Sequence, residues 1–170
     1  GAATWREITG NLPSDFGYAL VTDPTDPDVL YQVPEDGPDF RCVSGGRLRV
    51  FRSTTGGDDW TSVSDGLPRE HAYVTVLREA LDIDARDPRH LYLGTSGGHL
   101  FASADGAGRW HLIADFLPRI LSVKAHAVDR AGGGAISLPS AADRPSPGDD
   151  GAQGDAGSRK DGRSQGAAGP

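Results

Sequence analysis

The chain has 170 residues, a formal net charge of −7 at pH 7 and a single cysteine, Cys42. The acidic balance argues against nucleic acid or a membrane surface as the partner, because phosphate binding needs a basic face. A single cysteine excludes an internal disulfide, and no apolar run reaches the roughly 18 residues that span a bilayer. No signal peptide is visible, which favours a cytoplasmic location. The sequence contains no methionine, so we expect that position 1 is not a translation start.

Three tryptophans define an internal repeat. Trp5, Trp60 and Trp110 are each followed, at the same offset, by a Leu-Pro pair. Their spacing of 50 to 55 residues is typical of solenoids, propellers and other repeat arrays. A second repeated run, Asp-Pro-x-x-Leu-Tyr, occupies residues 26–31 and 87–92. The chain is therefore expected to consist of two nearly complete units and part of a third.

Apolar-rich or alternating runs divide each unit into four short strands. Turns rich in Gly, Pro, Asp and Ser separate them, and no run shows a helical period. In chain order the predicted strands are residues 18–21, 30–33, 48–52, 60–63, 74–83, 91–94, 100–102 and 110–113, and residues 121–128 are expected to form the last strand. The run at 74–83 is the longest candidate. Residues 74–81 could pass for a short helix, but the β-branched residues at 74–76 and the match to residues 18–21 argue for a strand.

The C-terminal part of the chain has a different composition. From about Ala131 it consists of Gly, Ala, Ser, Asp, Arg and Pro, with almost no large apolar residue after Leu138. Such a segment cannot bury enough surface to offset its conformational entropy. We therefore predict a repeat domain at 1–130 and a disordered tail at 131–170.

A turn motif precedes two of the tryptophans. It runs from Ser53 to Trp60 and again from Ser103 to Trp110, with small and acidic residues between. An acidic side chain in such a turn accepts hydrogen bonds from backbone amides, and glycine supplies positive φ. The tryptophan is expected to pack against the neighbouring sheet. The motif is interpreted as structural, lying away from any ligand.

This motif resembles the Asp-box, or BNR repeat, Ser-x-Asp-x-Gly-x-x-Trp, and the resemblance covers about residues 1–128. Thr55 stands at the Asp position of the first copy, while Gly57 matches the Gly position. The second copy keeps Asp105 but has Ala107 at the Gly position. The resemblance implies an all-β fold, a partial β-propeller of about two to three four-stranded Asp-box blades. The chain resembles the C-terminal part of bacterial proteins labelled sialidase-like or glycosyl hydrolase, and it is similar to sortilin-type propellers.

A closed propeller has about four to eight blades. The remaining blades are therefore expected N-terminal to Gly1 in the natural polypeptide. Open blade faces would otherwise present unpaired strand edges, which promote aggregation.

Candidate functional residues cluster just before and within the run at 74–83. Glu70 and His71 could serve as acid and base, since the environment of either can bring its pKa toward neutrality. Tyr73 lies beside them, and Arg78 with Glu79 is expected to form a structural or channel-lining ion pair. A loop that merely terminates strands is the simpler interpretation of Glu70 to Tyr73.

The sequence leaves two hypotheses about function, which belong to different classes. The preferred one is a binding or scaffold surface for a protein or glycan; the alternative is a glycoside hydrolase whose site is shared with further blades. Hydrolysis needs two carboxylates at defined spacing, which the sequence does not pair. Nor do Arg41, Arg78 and Arg119 match the sialidase pattern residue by residue. The dispersed histidines predict no metal site, and no cofactor is expected.

Overall fold

The computed structural model describes residues 3–127. The predicted disordered tail at 131–170, and with it the boundary between the two predicted segments, lies outside the described residues. Within 3–127 the regular secondary structure is almost all β, in eight short strands, which confirms the all-β prediction. No helix in this range is long and apolar enough to cross a membrane.

Two four-stranded antiparallel sheets form in strict chain order. The first sheet contains β1 (Leu20–Thr22), β2 (Leu30–Gln32), β3 (Phe51–Ser53) and β4 (Thr61–Ser62). The second contains β5 (Leu81–Ile83), β6 (Leu91–Gly94), β7 (Leu100–Ser103) and β8 (His111–Ala114). Each strand therefore pairs with its neighbours in sequence, and the four-strand unit expected from the tryptophan repeat occurs twice.

The two sheets share one apolar core. Its buried side chains come from both sheets and from the segments between them: Tyr31, Val33, Leu48, Val50, Val76, Leu81, Leu91, Leu93 and Trp110. β1 contacts β5, so the first strands of the two sheets lie next to each other. A smaller cluster on the other side of the first sheet contains Leu30, Phe51 and Trp60, with Ile8 and Leu12 packed against it.

The long strand predicted at 74–83 is wrong, because only Leu81–Ile83 joins the ladder as β5. The preceding backbone takes its hydrogen bonds elsewhere. The Thr75 N–H donates to the Ser96 hydroxyl at 3.0 Å, and the Val76 N–H donates to the Glu35 carboxylate at 2.8 Å. A tight turn from Leu77 to Ala80 then separates this stretch from the strand. Its amides are satisfied by side chains and loops, so no ladder forms.

Other predicted strands shift or shorten. β1 begins two residues later than predicted, and β3 starts at Phe51 although the prediction began at Leu48. The run predicted at 121–128 contributes only one parallel bridge, between Ser122 and Glu79, and position 128 is outside the described residues. Residues 33–50 connect β2 to β3 and contain a short helix, α1 (Gly37–Phe40), that the sequence did not predict.

Candidate functional site

A cleft of about 620 Å³ opens where residues 33–50 face the second sheet. One wall is the connection between β2 and β3, and the other is the segment just before β5 together with the turn after β6. Its lining residues are Asp36, Phe40, Arg41, Cys42, Gly45, Gly46, Tyr73, Val74, Thr75 and Ser96. Loops from both sheets therefore meet in one concave surface, and this is a common position for ligand sites.

The loop wall of the cleft is held by Asp36. Its carboxylate accepts a hydrogen bond from the Ser44 hydroxyl and one from the Gly45 N–H at 3.2 Å. The hydrogen bond from Ser44, followed by that from Gly45, lowers the Asp36 pKa, so the carboxylate stays charged at neutral pH. The Asp36 N–H also donates to the Cys42 carbonyl at 2.8 Å. These contacts close the loop into a defined wall.

Behind the cleft lies a buried carboxyl group, that of Glu35. It is 0% exposed, and its Oε1 accepts hydrogen bonds from the Thr75 hydroxyl at 2.6 Å and the Val76 N–H at 2.8 Å. Its Oε2 is buried without a hydrogen-bond partner among the described residues. Glu35 thus ties the β2–β3 connection to the segment that leads to β5, and it fixes the relative position of the two cleft walls.

Two aromatic side chains on the cleft wall remain in solvent. Phe40 is 80% exposed and Tyr73 is 75% exposed, although aromatic side chains of this size usually bury much of their area. Phe40 ends α1, and the ring of Tyr73 lies beside Gly46, where an added side chain would meet it at 3.2 Å. The cleft therefore presents apolar ring surface beside polar loop groups.

Cys42 lies on the wall of the same cleft and is half-buried. Burial, followed by the negative charges of Asp36 and Glu35, raises the pKa of its thiol. Its Sγ lies 4.0 Å from the Ala72 carbonyl oxygen. A thiol with a raised pKa is a poor nucleophile at neutral pH, so Cys42 is better suited to packing than to catalysis.

The five candidate residues from the sequence do not form one constellation. Tyr73 lines the cleft, whereas Glu70 and His71 are exposed and outside its lining. His71 has φ +55°, a left-handed turn conformation, and its ring centroid lies 6.3 Å from that of Tyr73. Arg78 and Glu79 are also exposed.

The predicted ion pair between Arg78 and Glu79 is replaced by other contacts. Glu79 accepts a hydrogen bond from Lys124 at 2.9 Å, and this contact lowers the Glu79 pKa. The Arg78 guanidinium instead lies 5.9 Å from the ring centroid of Tyr18, and Arg41 lies at the same distance from that ring.

The first Ser-to-Trp turn closes around the Ser53 hydroxyl. This oxygen accepts hydrogen bonds from the N–H groups of Thr55 at 3.1 Å and Gly57 at 2.9 Å. The Thr55 hydroxyl accepts from the Asp59 N–H at 3.0 Å. Gly57 has φ +95°, and a Cβ there would lie 2.5 Å from the Cβ of Ile8, so this position requires glycine.

The second turn repeats two of these three bonds, with Asp105 in the place of Thr55. The Ser103 hydroxyl accepts from the Ala107 N–H at 3.0 Å, and Asp105 accepts from the Arg109 N–H at 3.0 Å. Burial acts to raise the Asp105 pKa, but the hydrogen bonds from Ser103 and the turn amides outweigh it and lower the pKa. Ala107 is fully buried at φ +71°, the left-handed conformation that glycine favours. Thr55 and Ala107 therefore keep the geometry of the turn.

Each buried tryptophan is tied to the unit before it. The Trp60 indole N–H donates to the Ile8 carbonyl at 2.8 Å, and the Trp110 indole N–H donates to the Val63 carbonyl at 2.8 Å. Ile8 and Val63 each lie three residues after the tryptophan of their own unit. Trp5, in contrast, is 93% exposed. The motif residues are thus placed between successive units, outside the cleft.

Among residues 3–127, no three His, Cys, Asp or Glu side chains come together as a metal-ligand set. No protein-family model matches the chain, and the comparison with curated proteins found no match.

Proposed function

We propose that the two sheets are successive blades of an Asp-box β-propeller that binds a glycan or a protein segment in the cleft between them. The identical indole-to-carbonyl bonds of Trp60 and Trp110 support a repeat in which each blade is tied to the preceding one. Blades related by rotation about an axis place their innermost strands in parallel. The parallel bridge between Glu79 and Ser122 fits this arrangement, with residues 120–127 beginning a further blade.

The exposed indole of Trp5 supports further blades in the complete ring. Trp60 and Trp110 are 3% and 2% exposed, while Trp5 at the equivalent repeat position is 93% exposed. In a closed propeller of about four to eight blades, a neighbouring blade would cover this ring.

The observation that carries the binding function is the pair of exposed aromatic rings on one preformed cleft. A sugar ring presents C–H groups on its face and hydroxyls around its edge, and Phe40 and Tyr73 offer stacking surface for such a face. The Tyr73 and Ser96 hydroxyls, both on residues that line the cleft, offer hydrogen bonds to the edge. Because the walls are fixed by Glu35 and Asp36, little ordering is needed on binding, which favours affinity.

A glycoside hydrolase remains the alternative. It needs two carboxylates flanking the scissile bond, about 5 Å apart for retention or about 6.5 to 9.5 Å apart for inversion. Asp36 is the one carboxylate in the described lining of the cleft, and it holds the loop through Ser44 and Gly45. Because a single carboxylate cannot supply both catalytic groups, the lining favours binding over hydrolysis. The fold alone does not imply activity.

The test is a glycan array probed with the purified chain, followed by calorimetric titration of the strongest ligand. We expect Tyr73→Ala to weaken binding at least about tenfold, as for an interface aromatic. The matched control is Phe116→Ala, which removes a ring that is 94% exposed and outside the cleft. Equal affinity of the two variants would contradict the cleft assignment, and failure of both glycans and immobilised peptides to bind would contradict the function.

Hydrolysis is tested with aryl-glycosides and sialosides on the complete polypeptide, because the alternative shares its site with further blades. No turnover is expected in the wild-type protein. Turnover that Glu70→Gln or Glu79→Gln abolishes would instead establish the hydrolase and assign the carboxylate.

A further inference from the structure

A second cavity, of about 480 Å³, gathers three arginines on the first sheet. It lies between the chain just before β3 and the chain around and after β4, and it shares no lining residue with the cleft described above. Its lining residues are Arg47, Leu48, Arg49, Ser62, Ser64, Asp65 and Arg69. The whole chain carries a net charge of −7, so three guanidinium groups around one carboxylate are a local reversal of its charge. Such a concentration attracts anions.

Arg49 is the most firmly placed of the three. Its guanidinium lies 5.5 Å from the ring centroid of Phe51, and one terminal nitrogen donates to the Ser44 carbonyl at a long 3.4 Å. Its Nε is buried and has no hydrogen-bond partner among the described residues. A buried N–H without an acceptor is costly, so the Arg49 guanidinium is incompletely hydrogen-bonded.

The remaining polar groups of the wall leave the excess of positive charge in place. Asp65 lies 3.4 Å from Arg69 and 3.5 Å from Arg109, so two arginines share its single charge. Arg47 is exposed and forms no ion pair with any described carboxylate. The Ser62 hydroxyl lies 2.8 Å from that of Ser64.

We propose that this cavity binds a tetrahedral oxyanion ester, a phosphate monoester or a sulfate ester, on a small ligand. The planar guanidinium group donates two parallel hydrogen bonds to such oxygens. Arg49 is the inner donor, preset by its stacking on Phe51, and the exposed Arg47 and Arg69 approach from the rim. The site is separate from the cleft, so it stands or falls independently of the proposed glycan or protein binding.

The experiment titrates the purified chain with phenyl phosphate and, separately, with phenyl sulfate, using calorimetry and ¹⁵N-edited NMR. Saturable binding of either probe is expected, with shifts at the cavity residues and affinity that falls as salt is raised. Binding of phenyl phosphate alone identifies the source as a phosphate ester, and binding of phenyl sulfate alone identifies a sulfate ester. Absence of saturation by both up to about 10 mM would overturn the proposal.

Three variants locate the binding. Arg49→Met keeps the apolar stem on Phe51 and removes the donors, and we expect it to weaken binding at least about tenfold. Arg47→Gln changes an exposed rim residue, so its effect of about threefold or more can be read even if Arg49→Met unfolds. Arg119→Gln, an exposed arginine outside the cavity, is the matched control. Equal loss in Arg47→Gln and Arg119→Gln would show general charge attraction and overturn the proposal.

Discussion

Replacing Trp110 by alanine tests whether the indole ties the two sheets together. The side chain is 2% exposed, belongs to the core shared by both sheets, and donates its N–H to the Val63 carbonyl at 2.8 Å. Burial of roughly 200 Å² at about 25 cal/mol per Å² contributes about 5 kcal/mol as an upper limit. Alanine retains a small part of that area and the site collapses partly, so we expect a loss of about 3–5 kcal/mol.

The assay is urea unfolding followed by far-UV circular dichroism, with the slope fitted separately for each variant. Trp110→Phe keeps most of the ring but removes the N–H, and the lost hydrogen bond should cost about 1–2 kcal/mol. The matched control is Trp5→Ala, whose 93% exposed ring should cost less than about 0.5 kcal/mol. A loss below about 1 kcal/mol for Trp110→Ala, or equal losses for Trp110→Ala and Trp5→Ala, would refute the reasoning.

Three further predictions follow from the turns and the edges of the sheets. Gly57→Ala should lower the free energy of unfolding by about 2–3 kcal/mol, because positive φ is strained for alanine and the new Cβ meets Ile8. Gly106→Ala, at φ +71° with open space around it, should lower it by only about 1 kcal/mol in the same urea assay. The Asp23 pKa is held below its ordinary value by the hydrogen bond from Arg89, so the pair stabilises the fold above the unfolded pKa of about 3.9 and loses this effect on acidification. Asp23→Asn should therefore lower the urea midpoint at pH 7. A difference in midpoint between wild type and variant that stayed the same at pH 2 to 3 would contradict the stabilising role of this ion pair. In hydrogen exchange, the indole N–H of Trp5 should exchange fast, and those of Trp60 and Trp110 slowly. Fast exchange of all three would contradict the indole hydrogen bonds of Trp60 and Trp110.

The repeated residues predicted the sheets because each acts locally. The Asp-Pro turn precedes β2 and β6, and the Ser-to-Trp turn joins the third strand to the fourth in both sheets. These turns fix strand order through local hydrogen bonds, which in the Ser-to-Trp turns run from backbone N–H groups to side-chain oxygens. The strand prediction for the stretch at 74–80 was wrong because non-local contacts decide the structure there. Its β-branched residues favour a strand, but Glu35 and Ser96, distant in sequence, take its amide hydrogen bonds.

The cleft was harder to predict than the sheets. Tyr73 was identified from sequence, whereas Asp36, Cys42 and Glu35 were not, because the connection that holds them has no counterpart in the second sheet. Residues 33–50 join β2 to β3, while only residues 95–99 join β6 to β7. That difference in length was the available signal. How the longer connection folds against the second sheet depends on hydrogen bonds between distant residues, which repeat spacing does not encode.

The most direct test of the central claim uses Cys42, the single cysteine of the chain and part of the cleft lining. The rate of its alkylation is measured at mildly alkaline pH with and without the glycan or peptide ligand found in the binding screen. Since only one thiol can react, the rate reports on the cleft alone. A ligand held between Phe40 and Tyr73 should slow alkylation in proportion to the bound fraction. A ligand that saturates the chain and leaves the alkylation rate unchanged would contradict the claim that the cleft is the binding site.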